Sequence, residues 1–79
     1  MAEGPHVPAM PLTMVRVGDT RTVRSVRGGG DVKRHLESLG FVEGSQVHVV
    51  AANPANIIVT IKGARLGLDS KVAGRVMTV

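Results

Sequence analysis

The stretch Asp31–Gly44, DVKRHLESLGFVEG, constrains this chain more than any other. Val32, Leu36 and Leu39 fall at i, i+4 and i+7, which places one apolar stripe along a short helix. Lys33, Arg34, His35, Glu37 and Ser38 occupy its remaining faces. Asp31 precedes the stripe and is expected to serve as N-cap, accepting from an unpaired N–H of the first turn. Gly40 stands where a helix ends in a left-handed residue, a conformation that a Cβ would oppose. With Gly40 at C′, Phe41 becomes C″ and Leu36 becomes C3, the pair that touches in a Schellman ending. Phe41 is also the only aromatic residue in the chain. Glu43-Gly44 then makes a second turn. A helix of about two turns does not persist alone in water, so its stripe must dock on something.

The surrounding sequence offers β-strands for that purpose. Gln46–Ala51 alternates, with Val47, Val49 and Ala51 on one side and His48 and Val50 on the other. Ile57, Val59 and Ile61 share one side of the next run, and Ile58, Thr60 and Lys62 the other. With Ala52–Asn56 as a turn-rich loop between them, the two runs read as an antiparallel hairpin with Val47, Val49, Val59 and Ile61 buried. Thr20–Arg27 is also strand-like, but Val23 and Val26 lie three apart, which requires a bulge or a weakly specified edge. Leu66 and Leu68 point inward from Arg65–Leu68, Asp69 or Ser70 caps a single helical turn, and Val76–Val79 closes the chain. Leu12, Met14 and Val15 supply a first apolar segment. Residues 1–10 read as a disordered lead or an appended remnant, and 11–79 as the domain. The expected fold is mainly β: a small five-stranded SH3-like barrel, its helix inserted between the first and second long strands. Ile58 and Val50 then lie outward on the hairpin as a small contact patch.

Composition narrows the chemistry. At 79 residues the chain supports one modest core, burying roughly 60% of its unfolded surface. No cysteine is present, so disulfides, thiolate metal sites and cysteine catalysis are excluded. The longest apolar run, Val49–Ala52, is far short of the ~20 residues of a membrane span. No signal-peptide pattern opens the chain, and the expected setting is cytoplasmic. Gly28-Gly29-Gly30 lacks the Walker pattern and reads as a turn into the helix rather than a phosphate loop. Ser25, Ser38, Ser45 and Ser70 have no catalytic companions, so no enzyme is expected. Among the histidines, His48 with Glu43 or Glu37 is the one conceivable Fe(II) pairing, a weak candidate short of ligands. No cofactor is therefore expected beyond weak binding of a divalent transition metal. Net charge is +4, yet stacking aromatics and nucleic-acid motifs are missing, so nucleic acid is not the expected partner. A core this small, with an apolar hairpin face, predicts weak self-association at high concentration.

The order G-D-x(3)-V-x(2)-V-x-G-G, a helix ending L-x-x-L-G-F, then V-x-G-S-x-V-x-V-V, I-V-T-I-K-G and L-x-L resembles the FeoA family over about Pro11–Val79. Leu36, Leu39, Gly40, Phe41 and Gly44 carry the most specific part. The family places proline where this chain has Glu43, which implies a looser turn. The same barrel forms the C-terminal module of iron-dependent repressors; residues 1–10 offer no helix-turn-helix, so a stand-alone module rather than a complete repressor is the expectation. The resemblance implies a cytosolic accessory protein of bacterial ferrous-iron uptake that docks on the cytosolic, GTPase-bearing part of the permease and meets the membrane only through it. The expected docking residues are Lys33, Arg34, Leu36 and Glu37 on the helix, with Val50 and Ile58 as a second face. The alternative reading is a stand-alone SH3-like module that binds a transition metal or, behind that, nucleic acid.

Overall fold

The computed structural model describes residues 8–79. The expected lead therefore falls largely outside the described residues, while Met10 already belongs to a strand. The elements run β1 (Met10–Pro11), a 3-10 turn (Leu12–Met14), β2 (Thr20–Val26), α1 (Gly30–Ser38), β3 (Gln46–Ala52), β4 (Asn56–Ile61), β5 (Ala64–Asp69), α2 (Ser70–Ala73) and β6 (Val76–Thr78). They form one antiparallel sheet in the order β1-β6-β2-β3-β4-β5. The five strands anticipated from alternation are present, and the two-residue β1 adds a sixth beside β6.

β2 joins the two halves of the barrel. Its first residues, Thr20–Thr22, pair with β3, and its later ones, Val23–Val26, pair with β6. The register slips between Val23 and Ser25, so Arg24 is the extra residue of a bulge. This resolves the irregular spacing of Val23 and Val26. A bulge rotates the second valine back to the inner face, and both are buried.

The hairpin of β3 and β4 buries Val47, Val49, Val59 and Ile61 as the alternation requires. Two details differ from expectation. The loop is tighter than Ala52–Asn56, because Ala52 pairs with Ile57 and the Asn53 N–H donates to the Asn56 carbonyl. The Asn53 side-chain oxygen also accepts from the N–H groups of Ala55 and Asn56, closing the turn internally. The second difference is a bulge at Val50, which sets Ala51, not Val50, across from Ile58. Ala51 is consequently exposed rather than inward, and the Val50–Ile58 pair is not directly opposed.

The core gathers Leu12, Val15, Val23, Val26, Leu36, Phe41, Val47, Val49, Ile57, Val59, Ile61, Leu68, Ala73 and Val76. Leu66 packs half-buried at its margin, as does Val32. Met14 escapes it and is 70% exposed, since the 3-10 turn directs Leu12 and Val15 inward instead. Asp69 caps α2 by accepting from the Lys71 N–H at 2.8 Å.

Candidate functional site

α1 is the element that the barrel displays. Leu36 is fully buried and Val32 and Leu39 half-buried, while Lys33, Arg34, His35, Glu37 and Ser38 face solvent. Its start differs from expectation. Gly29 is the N-cap, with no side-chain bond, and Asp31 lies inside the first turn. Glycine costs only a few tenths of a kcal/mol relative to a side-chain cap, so the glycine run lets the helix begin earlier. Asp31 there complements the helix N-terminus by charge and meets Arg34 at 3.4 Å. Both side chains are exposed, so this pair contributes little.

The end of α1 is as the sequence requires. Gly40 has φ +112°, its N–H donates to the Glu37 carbonyl at 3.0 Å, and the Phe41 N–H donates to the Leu36 carbonyl at 3.1 Å. These are the two bonds of a Schellman motif. Phe41 drops into the core beside Leu36. The Ser45 N–H donates to the Val42 carbonyl across the next turn, with Gly44 at φ +92° in its third position, and the Gly44 N–H donates to Val23 of β2. α1 is thereby tied to the sheet at its C-terminal end through consecutive backbone bonds.

A cleft between α1 and β2 follows from this anchoring. It is lined by Arg24, Ser25, Val26, Lys33, Glu37, Phe41, Val42 and Glu43. Two cations and two carboxylates thus line it together with Val26, Phe41 and Val42. Lys33 and Glu37 are the expected docking residues that line it, whereas Arg34 turns toward Asp31 and Leu36 is committed to the core. Arg24 is the contributor that sequence reading missed. Its exposure follows from the β2 bulge, which a valine spacing of three signals without identifying the displaced residue.

A second, larger concavity is lined by Thr20, Ser45, Gln46, His48, Thr60, Ile61, Lys62 and Gly63. His48 is half-buried there, its Nδ1 2.9 Å from the Thr20 hydroxyl. His48 and Glu43, paired as weak iron candidates from sequence, therefore line different concavities. Among the described residues, no three His, Cys, Asp or Glu side chains gather as a metal-binding group. Two of the serines hydrogen-bond to backbone: Ser38 donates to the His35 carbonyl and Ser70 to that of Pro54. Among the described residues no helix is long and apolar enough to cross a membrane.

A small antiparallel barrel with α1 displayed between β2 and β3, its polar groups collected in shallow clefts, defines an SH3-like module. The FeoA domain model matches residues 10–78. The chain belongs to the FeoA family. A crystal structure of an iron uptake regulatory protein (FeoA) is 30% identical with a TM-score of 0.84, the match covering 90% of this chain and 96% of that one. The FeoA of Stenotrophomonas maltophilia, described as an SH3 domain protein and crystallised with zinc, is 30% identical with a TM-score of 0.80, over 90% of this chain and 91% of its own. A manganese-dependent transcriptional repressor is 31% identical with a TM-score of 0.84, but only 43% of its chain is covered against 95% of this one. No curated protein sequence matches.

Proposed function

We propose that this chain is a cytoplasmic accessory protein of ferrous-iron uptake that acts by docking on the cytosolic, GTPase-bearing part of the iron permease. Family membership supports the link to ferrous iron, and the S. maltophilia relative carries the description of a ferrous iron transport activating factor. The observation that carries the docking surface is the anchored α1 face bordering the cleft of Arg24, Lys33, Glu37 and Glu43. Charges of both signs around a shallow cleft suit a folded, charge-complementary protein surface better than a small apolar ligand, which requires an enclosed pocket. The Schellman ending supplies the rigidity, since a helix fixed at one end presents its charges in one geometry.

Reversing charge at Lys33 and Arg34 together tests this reading. Both side chains are exposed, so Lys33→Glu with Arg34→Glu should leave the melting temperature nearly unchanged. The second change sets a carboxylate near Asp31, a like-charge contact that costs only a few tenths of a kcal/mol. Binding to the isolated cytosolic domain of the permease should weaken about tenfold or more and change its salt dependence. Full-strength binding by the folded variant would move the contact to the Val50 and Ile58 face.

A further inference from the structure

The outer edge of β5 carries an inference independent of the permease. β5 is the last strand of the sheet and pairs with β4 alone. The β4–β5 turn has two central residues, Lys62 and Gly63, both with positive φ, and Ile61 faces Ala64 across it. A two-residue turn of this kind closes on a hydrogen-bonded pair. Alternation then commits the backbone groups of Leu66 and Leu68 to β4 and directs the N–H groups of Arg65, Gly67 and Asp69 away from it, with the Arg65 and Gly67 carbonyls. Among the described residues, no backbone bond from another element reaches Arg65, Gly67 or Asp69 on that edge. Unpaired strand edges are templates for another strand, and natural proteins block them with proline, lysine or a covering loop. Neither proline nor lysine occurs within Ala64–Asp69, and its two charges, Arg65 and Asp69, are opposite in sign, so they repel neither a copy of the same strand nor each other.

The sequence of the edge specifies its partner. Arg65, Gly67 and Asp69 are all exposed and alternate along one face, opposite Thr60, Ile58 and Asn56 of β4. An antiparallel copy of the same strand, centred on Gly67, sets Arg65 against Asp69 of the other copy at both ends. Leu66 is set against Leu68 on the inner face. The central position holds glycine in both copies, so no side-chain pair has to be accommodated there. Asp69 uses one carboxylate oxygen for the α2 cap and keeps the other for the arginine.

We infer that β5 is a self-complementary edge through which two copies of this chain pair antiparallel about Gly67, extending the sheet across a twofold axis. The self-complementary charge order is the reason for choosing a second copy: a C2 interface requires that residue i meet j and j meet i. The interface is one strand wide, so the dimer belongs to the weak class and forms at high concentration.

Sedimentation velocity on the full chain from about 10 μM to about 1 mM tests the pairing, because weak dimers populate across that range. The wild type should shift toward dimer. Gly67→Pro removes an outward N–H and narrows φ, changes that an edge strand tolerates, so it should stay folded by circular dichroism and remain monomeric. Arg65→Glu and Asp69→Lys should each weaken dimerisation about tenfold or more, since each sets like charges together at both ends. Mixed one to one, these two variants should form a heterodimer with wild-type affinity, because every cross-strand pair is again opposite in charge. Circular dichroism checks that Asp69→Lys, which loses the α2 cap, is still folded. If it is not, Arg65→Glu mixed with wild type provides the intermediate affinity to measure. A wild type that stays monomeric at about 1 mM, or a Gly67→Pro variant that dimerises normally, overturns the proposal. Dimerisation by folded variants without rescue on mixing overturns the register.

Discussion

Phe41→Ala is expected to leave little folded protein at room temperature. Phe41 is fully buried, is the largest side chain in the core, and is the one aromatic ring the chain possesses. Truncating a buried phenylalanine costs about 3–5 kcal/mol, combining lost transfer free energy with the cavity that remains. A core-only domain of this size holds roughly 3–5 kcal/mol in total, so one substitution removes most or all of it. Collapse around the vacancy is restricted, because Leu36 is fixed by the Schellman bonds and Val23 by its bonds to Gly44 and Ser45. Urea titration followed by circular dichroism should show no folded baseline, or a midpoint near zero. Phe41→Leu keeps an apolar side chain there and should retain a cooperative transition. If the alanine variant melted within about 4–8 °C of wild type, the loss would be only about 1 kcal/mol, and the ring would not be the keystone its burial indicates.

Much of the fold was legible because short-range rules decide it. The end of α1 is written in Leu36, Gly40 and Phe41, whose spacing admits few alternatives, and its two hydrogen bonds are the ones that spacing demands. The inward valines and isoleucines of β3 and β4 follow from period two alone. Bulges were harder. At Arg24 the interrupted alternation announced one, but at Val50 an unbroken apolar run hid it, since Val49, Val50 and Ala51 read equally well in either register. Bulge placement depends on how the strand must bend to reach both neighbours, which is a property of the assembled sheet. The same limit explains the N-cap. Local preference favours Asp31, while the structure starts α1 at Gly30, a choice made where β2 hands the chain over through glycines.

The candidate site was legible in part for a related reason. Lys33 and Glu37 could be placed on the wet face of a helix from periodicity, and both line the cleft. Arg24 and Glu43 reach it from β2 and from the turn after the helix, contacts that only tertiary packing creates. His48 illustrates the converse. A pairing with Glu43 was conceivable along the chain, but β3 carries His48 toward Thr20 in a different concavity.

Gly40→Val is expected to destabilise by about 2–3 kcal/mol, and by backbone strain rather than a cavity. Gly40 sits at φ +112°, outside the range that a β-branched residue adopts. A Cβ there would also stand 3.0 Å from Lys62 Cγ. Lys62 is exposed and its side chain would have to shift by a few tenths of an ångström, so the backbone strain carries most of the cost. The chain can relieve the strain only by rotating Gly40 out of the left-handed region. Doing so breaks the bonds from Gly40 to Glu37 and from Phe41 to Leu36, and pulls Phe41 from the core. Gly67→Ala is the matched control, with neither positive φ nor a neighbour within 4 Å. It should be neutral or slightly stabilising, because alanine reduces the entropy of the unfolded chain. Denaturant midpoints for the two variants, measured at low micromolar concentration, should therefore separate clearly. Equal midpoints would mean that α1 ends as well without its Schellman turn, and the rigid display of Lys33 and Glu37 beside the cleft would lose its structural basis.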